Sequence, residues 1–155
     1  MFIHWESKLE TGQPLIDAEH RLLLMLFRKL DIGIKTHQSE ATLKQVILEV
    51  KKFVEFHFTS EENLMRETGY PAFEAHQKLH AELLEELNVL VARVVSRREF
   101  PDELLAFLNH WLIDHIAKHD QALARFVSAS ASRPVAEMSY AEFLLPLTPG
   151  ADRER

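Results

Sequence analysis

The sequence predicts an all-α protein, an up-down-up-down antiparallel four-helix bundle with an N-terminal arm and a C-terminal tail. Three observations carry that expectation. Only four Gly and six Pro interrupt 155 residues, and the plentiful Leu, Ala, Glu and Lys favour helix over strand. Apolar residues recur at steps of three, four and seven along extended stretches. The links between those stretches are short, and short links between long helices favour antiparallel neighbours.

Residues 1–14 read as an extended arm ending at Gly12 and Pro14. From Leu15 to about Lys35, the positions of Ile16, Leu23, Phe27, Leu30 and Ile34 predict the first helix, and the segment THQSEAT breaks the pattern. A second helix starts near Glu40 and runs through Leu43, Val46, Ile47, Val50, Phe53, Val54 and His57 to about Glu67. Gly69 stands where a C-terminal cap is expected, with Pro71 just beyond. The third helix is expected from Pro71 to Ser96, with Phe73, Leu79, Leu83, Leu87, Leu90 and Val94 on its apolar face. Pro71 suits a first helical position, and Arg93, Arg97 and Arg98 suit the negative end of the helix dipole. A fourth helix opens at Pro101 and Asp102 and continues to about Ser130, with Leu104, Leu108, Trp111, Leu112, His115, Leu123 and Phe126 inside. Residues 1–131 therefore form the bundle. Residues 132–155 form a tail that holds half of the prolines and one short apolar stretch, SYAEFLLPL.

A chain of this length builds one domain and buries a core without needing a metal or a disulfide to hold it. The formal net charge of −6 argues against nucleic acid as a partner. The absence of Cys excludes disulfides, thiolate metal sites and Cys nucleophiles. No apolar run is long enough to span a membrane, and MFIHWESKLE is not a secretory signal. A cytoplasmic location is the expectation.

Nine histidines need an account. His57 and Glu61 are four apart on the second helix, and His76 and His80 are four apart on the third. Residues at that spacing share a helix face. With His20 on the first helix and His115 on the fourth, every helix offers a ligand to one central site, and bundle interiors house metals in this way. Neutral imidazoles buried in an apolar seam need partners, because an unpaired buried polar group is costly. The donors are imidazole and carboxylate. Imidazole suits Zn, Cu, Fe and Ni, iron fits mixed nitrogen and oxygen ligation and offers redox chemistry, and carboxylates can join two ions. Five histidines with two carboxylates are too many for one tetrahedral ion and match two. The fourth helix stays ambiguous on spacing alone. His115 and His119 form another pair four apart, whereas Asp120 lies about 140° round an ideal helix from His115. His110 and Asp114 are further candidates there.

Over residues 5–127 the chain resembles the hemerythrins, specifically the bacterial single-domain bacteriohemerythrins. The resemblance is carried by Trp5 and Gly12 in the arm, IDAEH ending at His20, HFTSEE from His57, MRETGYP before HQKLH, and WLIDHIAKHD from Trp111 to Asp120. It implies two non-haem iron ions. His76, His80 and His115 would hold one and His20 and His57 the other. Glu61 and Asp120 would bridge them together with an oxo or hydroxo group. O2 would bind at the iron with two histidines, and Trp111 and Leu112 would line the O2 pocket. His4, His37, His110 and His119 fall outside that ligand set.

The function this implies is reversible O2 binding for transport, storage or delivery, not enzymatic turnover. Metal oxidases in related bundles use more carboxylates, often as Glu-x-x-His pairs, and no two-fold pattern of that kind occurs here. Glu74, Glu82 and Glu86 read as the solvated face of the third helix. Two other readings stand beside it: an O2 or redox sensor or interaction module, and a diiron enzyme acting on peroxide or NO. The expected partners are O2 and an O2-consuming enzyme or signalling protein, with the chain a monomer or weak oligomer.

Overall fold

The computed structural model describes residues 5–96 and 101–129. Its helices are α1 (Pro14–Lys35), α2 (Glu40–Thr68), α3 (Phe73–Val95), α4 (Pro101–His115) and α5 (Gln121–Ala129). A 3₁₀ turn at Ser7–Leu9 precedes them, and a π turn at Ile116–Asp120 joins α4 to α5. His115 and Gln121 keep right-handed helical dihedrals on either side of the π turn, so α4 and α5 form one continuous rod. The four rods pack in a closed ring, with α1 against α2 and α4, and α3 against α2 and α4. Among the described residues there is no strand, and no helix is long and apolar enough to cross a membrane. The expected boundary near residue 131 and the tail 132–155 lie outside the described residues, as do His4, Arg97 and Arg98.

The arm is not extended throughout. Leu9 enters the core from the 3₁₀ turn. Asp17, in the first turn of α1, accepts from Thr11 N (2.8 Å), Thr11 Oγ1 (2.8 Å) and Gly12 N (3.1 Å). Gly12 has φ +84°, a backbone angle that a side chain disfavours, and this lets two successive amides aim at one carboxylate.

Pro14 rather than Leu15 opens α1, in the first-turn position where its missing N–H costs nothing. Ser39 caps α2 by accepting from Thr42 N at 3.1 Å. Gly69 ends α2 in the left-handed conformation at φ +65°, and Tyr70 N reaches back to Met65 O at 2.9 Å, as expected of a Schellman cap. Pro71 does not open α3. It sits second in a turn closed by Phe73 N to Tyr70 O at 3.1 Å, a place its fixed φ also suits, and α3 begins two residues later.

The buried apolar side chains fall into two groups. The larger takes Leu23, Phe27 and Leu30 from α1, Val46, Ile47, Val50 and Val54 from α2, Leu87 and Val94 from α3, and Leu104, Leu108 and Leu112 from α4. The smaller joins Ile16, Leu64, Met65, Leu123 and Val127. Each fully buried Leu or Phe contributes about 1.5–3 kcal/mol. Along α1, α2 and the fourth rod, the histidines and carboxylates of interest lie between these two apolar groups. His20 separates Ile16 from Leu23, His57 and Glu61 separate Val54 from Leu64, and His115 and Asp120 separate Leu112 from Leu123.

Candidate metal centre

His20, His57, Glu61, His76, His80, His115 and Asp120 are all buried, and their ligand atoms converge. One group comprises Glu61, His76, His80 and His115, and a second comprises His20, His57, Glu61 and Asp120, each with its ligand atoms within 4.8 Å of one another. The first is a tight cluster of ring nitrogens. His115 Nε2 lies 3.2 Å from His76 Nε2 and 3.1 Å from His80 Nε2. One ring nitrogen facing two others cannot satisfy both, since a neutral imidazole nitrogen carries either a proton or a lone pair.

Both carboxylates span the two groups. Glu61 turns Oε1 to His57 Nε2 (3.8 Å) and Oε2 to His80 Nε2 (3.3 Å) and His76 Nε2 (3.9 Å). Asp120 turns Oδ2 to His20 Nε2 (3.0 Å) and Oδ1 to His115 Nε2 (3.1 Å) and His76 Nε2 (3.4 Å). Each carboxylate thus gives one oxygen to each histidine group. Several of these approaches lack hydrogen-bond geometry. His20 Nε2, His57 Nε2 and all four carboxylate oxygens of Glu61 and Asp120 are buried without a hydrogen-bond partner. A cation bound among them would satisfy these atoms, and the nitrogen and oxygen donor set fits iron.

The electrostatics agree. Burial, then the neighbouring His115 and His76, push His80 down to about 2. Burial also lowers His20, against the pull of Asp120. Both rings are thereby kept neutral, the form that binds a metal. Burial pushes Glu61 well above the usual carboxylate range, and Asp120, Glu19 and Glu62 add to the rise. Asp120 is held well below that range. Its own burial works the other way, but His115 and the ring nitrogens of His115, His20 and His76 outweigh it. Two carboxylates in one buried pocket repel, so without a cation they do not both ionise easily.

The fourth rod decides between His119 and Asp120 through its π turn. In a regular α-helix the residue four after His115 would stack beneath it, and the next would be rotated about 100° away. Gln121 N instead bonds Ile116 O, five residues back. That wider turn absorbs one extra residue, so Asp120 comes into line with His115. His119 is displaced to the edge and left half-buried, its ring centroid 5.4 Å from that of His115 and 5.7 Å from that of His76. His37 and His110 are exposed.

The Hemerythrin HHE cation binding domain model matches residues 11–127. The chain belongs to the hemerythrin family. It is 34% identical over 125 residues to a bacteriohemerythrin of Stenotrophomonas maltophilia, covering 81% of each chain. A bacteriohemerythrin of Pseudomonas aeruginosa is 29% identical over 135 residues, covering 87% of this chain and 88% of the relative. A crystal structure of wild-type hemerythrin superposes with a TM-score of 0.74 over 83% of this chain and all of that one, at 23% identity, which shows the shared fold. Family and cluster together support a hemerythrin-type iron site.

This hemerythrin site also contains residues that periodicity and spacing did not single out. Glu19 lies 2.7 Å from His57 Nδ1, and Glu62 lies 3.2 Å from His80 Nδ1. Each is the sequence neighbour of a cluster residue, His20 or Glu61, and each serves a histidine on a facing helix. An acidic residue directly beside a cluster residue was the available signal. Phe58 stacks on His80 (centroids 3.9 Å, planes 8° apart) and meets Trp111 edge-on at 5.5 Å. Trp111 is buried 5.9 Å from the His115 ring, and Leu112 is fully buried in the larger apolar group.

Proposed function

We propose that this hemerythrin holds two iron ions and binds O2 reversibly, as a carrier or store rather than as an enzyme. The observation that carries the reading is the division of the donors. Three histidines gather on one side and two on the other, and Glu61 and Asp120 each give one oxygen to both sides. In this reading His76, His80 and His115 would hold one iron, His20 and His57 would hold the other, and Glu61 and Asp120 would serve both. The side with two histidines would offer its iron fewer protein donors, and O2 would bind there. Bound there, iron supplies reversible electron donation to O2.

The chain's own residues supply the rest. The apolar groups above and below keep water from the site, which strengthens every electrostatic interaction within it. Leu112, three residues before His115, and Trp111 line the O2 side of the pocket in this proposal. The His-rich shell favours a carrier, since oxidases in related bundles rely on more carboxylates. Optical spectra of iron-loaded protein under argon and then in air test the proposal. A carrier goes from nearly colourless to strongly absorbing and returns when O2 is removed. Continuous consumption of O2, peroxide or NO would identify an enzyme instead.

A further inference from the structure

Glu19 is 3% exposed and uses both carboxylate oxygens inside the bundle. Oε2 lies 2.7 Å from His57 Nδ1, and Oε1 accepts from Ser60 Oγ at 2.7 Å. An ionised carboxylate only accepts, so this contact favours the tautomer with the proton on Nδ1 and the Nε2 lone pair toward the cluster. His57 Nε2 has no hydrogen-bond partner there. Its companion His20, whose Nε2 faces Asp120 Oδ2 at 3.0 Å, has no hydrogen-bond partner on Nδ1. On the two-histidine side, then, only His57 is oriented from outside.

The three-histidine side has a looser counterpart. Glu62 meets His80 Nδ1 at 3.2 Å, is shared with Gln77 Nε2 (2.9 Å) and Arg66 (3.6 Å), and lines an open cleft of about 530 Å³. Water screens that contact. The Glu19 contact is shorter and buried on both sides, where a hydrogen bond is less screened.

We propose that Glu19, fixed by Ser60, is a positioning residue that locks His57 in the Nδ1–H form and tunes the two-histidine metal position in preference to the other. The inference rests on the two-metal reading above. Loss of an outer partner of a metal-binding histidine weakens metal affinity by about 10–100-fold.

The test is anaerobic titration of metal-free protein with Fe2+ and, for its visible bands, with Co2+, resolving both binding steps. Glu19→Gln keeps the shape and removes the charge. It is expected to weaken one step by about 10–100-fold and leave the other nearly unchanged. Ser60→Ala is expected to weaken the same step by a smaller factor, and Glu62→Gln the other step. A second readout needs no metal: in 15N-histidine-labelled apo protein, His57 should show a protected, downfield Nδ1–H signal that Glu19→Gln shifts upfield. Unchanged affinities, equal weakening of both steps, or no such ring proton in the wild type would overturn the proposal. Should Glu19→Gln fail to fold, Ser60→Ala decides by the same criteria. A wild type that takes up fewer than two metals overturns the metal reading instead, while the ring-proton signal still reports on Glu19.

Discussion

Oδ1 of Asp120 lies 3.1 Å from Nε2 of His115, although the two residues are five apart on one rod. A regular α-helix would have brought His119 to that place. The π turn at Ile116–Asp120 makes the exchange and leaves His119 at the edge of the cluster.

That geometry ranks two substitutions. Asp120→Ala removes a carboxylate that touches both histidine groups, whereas His119→Ala removes a half-buried ring outside them. Asp120→Ala is expected to lose at least one equivalent of iron, and His119→Ala to keep the wild-type content. Iron analysis after anaerobic reconstitution decides it. The reverse ranking would mean that the rod takes the regular α register in solution.

Removing the metal should cost stability without dismantling the fold. An ion that binds only the folded chain at one hundred times its Kd stabilises it by about 2.7 kcal/mol. For a domain of this size that is a Tm difference of about 5–10 °C. The apolar groups on both sides of the site remain buried without metal, so helical circular dichroism should be largely retained. Equal Tm values for apo and iron-loaded protein would place the bound metal outside the buried cluster.

The bundle was legible in the sequence because its signals are local. Gly69 and the apolar periodicity each act within a few residues, and the first three expected rods form with ends shifted by only one or two positions. Convergence of His20, His57, Glu61, His76, His80 and His115 was legible for the same reason, since helical spacing fixes the face that each presents. Asp120 was not, because a π turn leaves no spacing signature that distinguishes it from a regular helix. Only the family pattern selected it. Glu19 and Glu62 escaped because their partners lie on facing helices, and periodicity along one helix carries no information about the next.

The metal-free protein should lose stability on acidification. Burial holds His80 at about 2 and lowers His20, whereas both take up protons near 6.5 in the unfolded chain. Below about pH 6.5 the unfolded chain therefore binds protons that the folded chain refuses. The stability these two rings contribute is fully present above that pH and lost as the pH falls, by at most about 1.4 kcal/mol per unit for each ring. Glu61 acts in the opposite sense. Its folded value is raised, so the stability it contributes is present below its ordinary 4.5 and lost as the pH rises toward the folded value. Two rings act against one carboxyl below pH 6.5, so the net effect of acidification is a loss of stability. The Tm of apo protein at pH 7.5, 6.5 and 5.5 measures it. A Tm that rises steadily from 6.5 to 5.5 would contradict the assignment of neutral buried imidazoles.

Leu112 offers a test of the O2 pocket itself. It is fully buried among the apolar side chains of the larger group, one turn before His115 on the same rod. Residues three apart reach the same stretch of a bundle interior. An apolar wall there slows the arrival of water and protons and keeps the local dielectric low. Leu112→Asn keeps the branching of the side chain but replaces its two methyl groups with an amide that recruits water and hydrogen-bonds whatever occupies the pocket. Burying that amide without a fixed partner should lower stability by about 1–3 kcal/mol, which leaves the bundle folded and its iron content unchanged. The oxygenated protein should then convert to its oxidised form faster than wild type in air. The measurement is the decay of its visible absorption band, with iron content and circular dichroism recorded on the same samples. An unchanged decay rate at full iron content would make Leu112 a packing residue only.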